Sequence, residues 1–383
     1  MSNVWHNAKV CDDEIHTRGA NNICDTILSI CIPTYNRAES LGYLLNNIIE
    51  QIKSSNLTGI EICISNNCSI DTTAEVVAYY RLWYDNIVYS CNSENIGFDR
   101  NLLKAVNLAS GRFCWLFGDD DRFESGSLEK VQNILHSNRG LSGVSVNYQV
   151  YSSGFFKKTS SYVCSPEYKG ERFYATGTDA FDDLGVFFSF ISTQIINREK
   201  WNYVLDHYDL CSCYNGFVHL YVLSYILRDY PGWLYVSEKF VGNIPSTPEW
   251  GMDFSSRLKY LRIYYAFPNA AKILYNVSER SYSKLLNMVV KVFIAEHVRQ
   301  LKLKSNKNIA FLFREIRLNF GATSNFWFLV VPVIYCPKII FAPSYYLYKV
   351  VRYPRNLLKV WNNVYCKCEF IIYKWKSRME FLK

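Results

Sequence analysis

Three consecutive carboxylates, Asp119-Asp120-Asp121, follow Gly118 and the apolar run Phe113-Cys114-Trp115-Leu116-Phe117. Like charges packed side by side raise one another's free energy unless a cation or a hydrogen-bond network offsets them. Oxygen ligands of this kind suit Mg2+ or Mn2+, which take one or two carboxylates and complete their shells with substrate phosphates. A solvated acidic turn ahead of a helix starting near Ser125 is the simpler use of the same residues. Two further clusters supply complementary groups. Pro33-Thr34-Tyr35-Asn36-Arg37 offers hydroxyls and a guanidinium, and Ser65-Asn66-Asn67 offers amides. Together these groups suit a nucleoside diphosphate whose phosphates a metal bridges. The chain has no GxxxxGK[ST] loop and no GxGxxG turn, so an ordinary NTPase or dinucleotide-binding enzyme loses its main support.

The elements that must position these clusters alternate regularly. Residues 27–32 form a β run, and Leu41, Leu44, Leu45, Ile48, Ile49 and Ile52 then recur at helical spacing. Residues 60–64 read as a second strand, and Asp71-Thr72-Thr73 opens a helix over 74–84. A third strand spans 87–90, a helix spans 99–109 until Gly111 stops it, and the strand 113–117 follows. This alternation predicts an α/β fold with a parallel sheet between helical layers. Loops after the first, second and fourth strands then emerge on one edge, where ligands bind in such sheets. Further on, the pattern predicts a helix over 128–135, a strand over 143–152, a β-rich run over 187–197 and an amphipathic helix over 215–227. From about residue 255 it is helical and aromatic. The expected organisation is a polar extension (1–25), a catalytic domain (26–241) and a helical C-terminal region (242–383).

With 383 residues, the chain can bury a sizeable core and hold two domains, or one domain with a large appendage. Its 13 cysteines are scattered; Cys31, Cys63 and Cys114 sit inside apolar runs. Cys211-Ser212-Cys213 and Cys366-Lys367-Cys368 lack zinc-knuckle spacing, and His6, Cys11, His16 and Cys24 are irregularly spaced. Reduced thiols and a polar N-terminus without an apolar signal core point to a cytoplasmic protein. The net charge is +8, and residues 349–383 alone carry nine Lys or Arg against Glu369 and Glu380. Residues 326–348 are apolar but interrupted by Pro332, Pro337 and Pro343, which argues against a spanning helix. The basic, aromatic stretch that follows, including Tyr345, Trp361, Tyr373 and Trp375, suits an anionic membrane surface at the inner face of the cell membrane. A helical domain packed on the catalytic one, or an oligomer contact, would use the same residues. No RNA-binding motif accompanies the basic stretch, so nucleic acid is not an expected partner.

Ser29-Ile30-Cys31-Ile32-Pro33-Thr34-Tyr35-Asn36-Arg37 and Ser65-Asn66-Asn67-Cys68-Ser69-Ile70-Asp71-Thr72-Thr73 resemble the opening motifs of family 2 glycosyltransferases. Asn95-Ile96-Gly97-Phe98-Asp99-Arg100-Asn101 and Gly118-Asp119-Asp120-Asp121 resemble the next two, in the same order. The resemblance covers roughly residues 26–240 and is nearest to abequosyltransferase-like O-antigen enzymes, in which a WLxGDDD strand end is typical. It implies a GT-A fold and an inverting, metal-assisted hexosyl or deoxyhexosyl transfer from a nucleotide-sugar donor. The implied acceptor is a saccharide, lipid-linked, of a surface polysaccharide or O-antigen.

By position, the resemblance places Pro33, Thr34, Tyr35 and Arg37 in the nucleotide pocket. Asn66, Asn67 and Asp71 fall around the base, and Asp99 and Arg100 fall near the base or diphosphate. Asp119 and Asp121 match the DxD pair, Asp119 towards the ribose and Asp121 on the metal. Asp120 faces the donor sugar or the acceptor, or caps the following helix. The sequence departs from the family at Asn66, where an Asp often contacts the base. It also lacks the Glu-Asp pair that usually supplies the base for the acceptor hydroxyl. His219 is the best-placed titratable group there, as base or as a hydrogen-bonded histidine at a helix–sheet interface. Asp206 and Asp209 are alternatives, whereas Asp182-Asp183 lies too early. A catalytically silent nucleotide-sugar-binding or scaffold protein would show the same motifs without a base. A nucleotidyltransferase would need a Gly-rich, Arg-containing loop after the first strand, and Pro33-Thr34-Tyr35-Asn36 is not one.

Overall fold

A computed structural model describes residues 26–152, 157–158, 169–243, 254–275, 279–304 and 307–352. The chain divides into two compact units, Met1–Ile294 and Ala295–Lys383. In chain order the first unit holds β1 (Leu28–Thr34), α1 (Ala38–Ser54), β2 (Ile60–Asn66), α2 (Thr73–Arg81), β3 (Ile87–Cys91) and α3 (Phe98–Asn107). Next come β4 (Phe113–Leu116), β5 (Arg122–Phe123), α4 (Ser127–Ser137), β6 (Gly143–Ser152), β7 (Lys157–Lys158), β8 (Glu171–Tyr174) and α5 (Gly177–Leu184). Then follow β9 (Gln194–Asn197), α6 (Arg198–His207), α7 (Val218–Asp229), β10 (Trp233–Asn243), α8 (Phe254–Ile263), α9 (Ala266–Leu274) and α10 (Arg280–Val289).

The sheet runs β3-β2-β1-β4-β9-β6-β10-β5, with β8 on β10 and β7 on β6. β1, β2, β3 and β4 are parallel, pairing Leu28 with Ile60 on one side and with Phe113 on the other. Both faces of β1 are buried, which is why it reads as a continuous apolar run with no alternation. The apolar stripe of α1, from Leu41 to Ile52, is buried throughout as its spacing predicts. A buried carboxylate ties this half together: Glu61 accepts from Ser29 Oγ (2.5 Å), Ser110 Oγ (2.8 Å), Gly111 N–H (3.0 Å) and Ser110 N–H. Charge-assisted bonds of this number offset the cost of its burial. Gly111 is required here, because a Cβ would stand 2.5 Å from Ser29 Oγ.

The sheet is mixed beyond β4. β9 runs antiparallel to both β4 and β6, and β5 and β8 run antiparallel to β10. The β-rich run expected over 187–197 is a strand only at Gln194–Asn197; Gly185–Ser189 and Ile191–Thr193 are 3-10 turns. Phe187 and Phe188 drive this difference. Both are buried, with Phe188 stacked on Phe181 at 5.4 Å and edge-on to Trp233 at 5.4 Å. Adjacent strand residues point to opposite faces, and the 3-10 turns free these two rings from that alternation.

The second unit contains α11 (Ala295–Lys304), α12 (Leu312–Phe320), α13 (Val331–Tyr335) and α14 (Lys338–Arg352). Val298, Leu301, Leu312, Ile316, Phe326 and Val330 form its core. Among the described residues no helix is long and apolar enough to cross a membrane. The basic stretch beyond residue 352, with Trp361, Cys366, Cys368, Tyr373 and Trp375, lies outside the described residues, as do His6, Cys11, His16 and Cys24.

Candidate active site

β4 delivers the three carboxylates through a short turn with an aromatic floor. Phe117 stacks on Phe123 at 3.9 Å, and Trp115 meets Phe123 edge-on at 4.8 Å. Gly118 N–H donates to Ser192 Oγ (2.9 Å), and Asp121 N–H returns to the Gly118 carbonyl (3.3 Å). Asp119 Oδ2 accepts from Thr34 Oγ1 at 2.8 Å, and its Oδ1 lies 3.4 Å from Arg37 Nη1. The same guanidinium nitrogen pairs with Asp120 Oδ2. Asp121 Oδ1 accepts from Asn243 Nδ2 at 2.8 Å, and its Oδ2 accepts from Ser192 Oγ. The loops after β1 and β4 therefore converge, as the parallel sheet requires.

Asp119 and Asp121 are only 7% and 3% exposed, so this is not a solvated acidic turn. Burial, reinforced by the Asp120 charge, pushes Asp121 up to about 8, against the bonds from Ser192 and Asn243. Burial also pushes Asp119 up to about 7; the Arg37 charge opposes this and the Asp120 charge adds to it. One guanidinium faces three carboxylates, and the cluster is short of positive charge. Hard oxygen donors in that state fit a divalent cation. Among the described residues no three His, Cys, Asp or Glu side chains form a metal cage by themselves. Two carboxylates plus phosphate or water oxygens are the arrangement that fits.

The loop after β2 supports the loop after β1. Asp71 accepts from Ala38 N–H (3.0 Å) and Thr73 N–H (3.1 Å), joining the first turns of α1 and α2. Asn36, in the left-handed region at φ 52, donates its N–H to Ser69 Oγ and accepts from Ile70 N–H, both at 2.8 Å. Pro33 and Thr34 close β1, and Tyr35 is exposed beside them.

Several residues expected to reach the donor are spent inside the protein. Asn66 donates to Tyr89 OH (2.9 Å) and accepts from Ser69 N–H (3.0 Å). Asn67 donates to Asn95 Oδ1 (2.8 Å) and accepts from Ile96 N–H (2.9 Å) and Asn92 Nδ2 (3.2 Å). Both are buried. They shape the floor of the site and do not present amides to a base edge. Asp99 differs in the same way: it accepts from Gly216 N–H (2.7 Å) and Val218 N–H (3.0 Å), capping α7 from another element. Arg100 is exposed, with its guanidinium 5.3 Å from the Tyr214 ring.

His219, read from sequence either as a base or as a hydrogen-bonded histidine at a helix–sheet interface, has the surroundings of the second. It is 1% exposed, and Nε2 lies 3.0 Å from the Ser189 carbonyl, so Nε2–H donates there. Nδ1 is enclosed without a partner. Burial pushes this imidazole down to about 4. A neutral, enclosed ring is a packing element, not a base open to an acceptor hydroxyl. Asp182 accepts from Tyr275 OH (2.6 Å) and Ser281 Oγ (2.7 Å), and Asp183 pairs with Arg172 (3.0 Å). Asp206 and Asp209 are exposed, Asp209 accepting from Cys211 N–H at 2.9 Å.

Ser192, Asn243, Asn92 and Asn101 were not legible as site residues. Asn101, the last residue of the Asn95–Asn101 motif, bridges the Ser65 hydroxyl (2.8 Å) and carbonyl (2.9 Å). Ser192 and Asn243 stand in runs without any pattern, and only the fold brings them to Asp121. A separate cavity of ≈ 480 Å³ lies beside α1 and β5, lined by Asn47, Glu50, Gln51, Arg122 and Glu124. It is not the carboxylate cleft.

The family described as Glycosyl transferase family 2 matches residues 29–203. The abequosyltransferase RfbV of Salmonella typhimurium is 34% identical over 230 residues, covering 56% of this chain and 66% of that one. The GalNAc(5)-diNAcBac-PP-undecaprenol beta-1,3-glucosyltransferase of Campylobacter jejuni is 26% identical over 182 residues, covering 46% and 54%. The chain thus spans just under two thirds of the first relative and about half of the second. Residues 1–349 of S. aureus TarS, solved in complex with UDP, share the fold at a TM-score of 0.53 and 14% identity, over 76% of this chain and 78% of that one.

Proposed function

The chain carries a family 2 glycosyltransferase domain of GT-A fold, and from that premise we propose that it moves a hexosyl or deoxyhexosyl group from a nucleotide-sugar donor to a saccharide hydroxyl, with inversion. The observation that carries this reading is the buried, charge-deficient pair Asp119 and Asp121 at the carboxyl end of β4, facing Thr34 and Arg37. Likeness to an abequosyltransferase and to an undecaprenol-linked glucosyltransferase supports a surface polysaccharide or O-antigen acceptor, lipid-linked. The net positive charge of the C-terminal unit supports attachment to the cytoplasmic face of an anionic membrane, where such an acceptor resides.

Thr34 and Arg37 hold the carboxylate turn against the end of β1. Arg37 carries the positive charge that a diphosphate needs, and Tyr35 stands exposed where the base or ribose would enter. Asp121, with Asp119, would hold Mg2+ or Mn2+, which when bound stabilises the negative charge that develops on a departing diphosphate. Asp120 is the more open of the three carboxylates, and among the described residues its hydrogen bonding is confined to the Arg37 partnership. That openness supports a role for Asp120 at the reacting sugar or the acceptor.

Transfer or slow hydrolysis of nucleotide sugars, screened with Mn2+ and compared between wild type and Asp121→Ala, tests the proposal. Turnover lost in Asp121→Ala supports it. Metal-dependent nucleotide binding with no turnover of any donor would instead favour a silent nucleotide-sugar-binding protein, the reading that the enclosed His219 keeps in play.

A further inference from the structure

Residues 295–383 carry 16 Lys or Arg against Glu296, Glu315, Glu369 and Glu380, a net charge of +12 in a chain whose total is +8. Everything before them is net acidic. The same unit also exposes several large apolar side chains. Trp327 and Tyr335 both meet Phe313, at ring distances of 6.0 and 5.7 Å. Phe328 beside Trp327 is 77% exposed, and Ile339, just past Tyr335 and Pro337, is 84% exposed; Ile340 is exposed as well. Arg314 and Arg317 stand on the exposed side of α12, and the Arg317 guanidinium lies over the Phe313 and Trp327 rings at 5.7 and 5.9 Å. Soluble surfaces scatter single apolar residues, but a basic-rimmed aromatic and aliphatic cluster marks a contact face.

We infer that Trp327, Phe328, Tyr335, Ile339 and Ile340 form a face that inserts into the headgroup–acyl boundary of an anionic leaflet. The inference deepens, and rests on, the membrane-surface reading above. Charge selects the occupant: a second copy would bring another +12 unit against this one, whereas an anionic leaflet offsets it. Trp and Tyr suit the boundary because one end of each ring is apolar and the other hydrogen-bonds. Apolar insertion and basic attraction are the two signals that stable peripheral binding needs. No helix of the described residues crosses, so the face lies in the plane of the surface.

The test is flotation of the full chain with vesicles of phosphatidylcholine alone and of phosphatidylcholine mixed with phosphatidylglycerol. Wild type, Phe328→Ser, Ile339→Ser, the double variant and Phe328→Trp are compared at matched thermal midpoints. Wild type is expected to float with the anionic vesicles. Each Ser variant is expected to lose about tenfold in partitioning, the double variant more, and Phe328→Trp to retain it. Equal flotation by the double variant and wild type overturns the insertion face while leaving surface attachment standing. Absence of wild-type flotation overturns both. A concentration-dependent dimer that the Ser variants dissociate, with flotation unchanged, assigns the face to a second copy and overturns the inference.

Discussion

Thr34 Oγ1 donates a 2.8 Å hydrogen bond to Asp119 Oδ2, joining the end of β1 to the turn after β4 across 85 residues. Both groups are buried, so the bond fixes the carboxylate with little competition from water. Thr34→Val removes the donor while keeping the shape. It is expected to cost about 1–3 kcal/mol in urea unfolding, and Thr34→Ser should recover most of it. Loss of nucleotide-induced thermal shift in Thr34→Val alone would mark the bond as positioning the donor site as well.

Divalent-metal binding should release protons. Asp121 and Asp119 are held at about 8 and about 7, well above an ordinary carboxylate, so the metal-free site is partly protonated at neutral pH. A cation must displace those protons. Apparent Mn2+ affinity, measured by calorimetry in two buffers of different ionisation enthalpy, is expected to rise with pH up to about 8 and then level off.

Asp121→Asn should separate stability from activity. A buried carboxylate with a raised value penalises the folded state at every pH above its unfolded value, and the penalty shrinks as pH falls from about 8. In EDTA near pH 8, Asp121→Asn is therefore expected to melt above wild type, yet to lose about 100-fold or more in kcat/KM with Mn2+ present. A variant that melts lower in EDTA would contradict the charge-deficient description of the cluster.

His219 should report on acid stability. Its folded value of about 4 lies below the ordinary 6.5, so the unfolded chain takes up a proton first as pH falls. Stability is complete above about 6.5 and is lost between there and about 4, by roughly 3 kcal/mol at full development. His219→Gln keeps an N–H for the Ser189 carbonyl and cannot titrate. Its unfolding free energy should lack that part of the acid slope, and its kcat/KM should stay within about tenfold of wild type. A loss of several orders of magnitude with unchanged stability would restore the imidazole as a base.

Gly111→Ala places a methyl 2.5 Å from Ser29 Oγ, in the knot around Glu61. It is expected to destabilise by about 2–4 kcal/mol, read as a lower urea midpoint, because a buried carboxylate would lose partners as well as space.

The parallel half of the fold was readable because its signals are local. β1 and β2 are unbroken apolar runs, α1 has a regular stripe, and β6 begins and ends where its alternation does. The antiparallel β9 was harder to see, since the buried rings of Phe187 and Phe188 mimic a strand while occupying a 3-10 turn. The carboxylate cluster and its Thr34–Arg37 partners followed from topology, since parallel strands send their loops to one edge. Asn66, Asn67 and Asp99 stood in the expected motifs, but their hydrogen bonds turn inward to Tyr89, Asn95 and the first amides of α7. Motif position says where a side chain begins, and only packing says where it points. Ser192 and Asn243 gave no signal, because an isolated hydroxyl or amide means nothing until a carboxylate stands opposite.

The Asn243 amide reaches Asp121 across 122 residues, and the cap that Asp99 provides to Val218 spans 119. On a ribosome the acidic turn would leave the exit tunnel long before either companion exists. β1 to β4 contain mostly near-neighbour pairings and can form early, whereas the latch on Asp121 waits for the last strand of the sheet. A fragment ending at residue 203, where the family match ends, would hold the motifs and lack the latch. Synthesis order therefore withholds a finished carboxylate turn until the whole sheet is made.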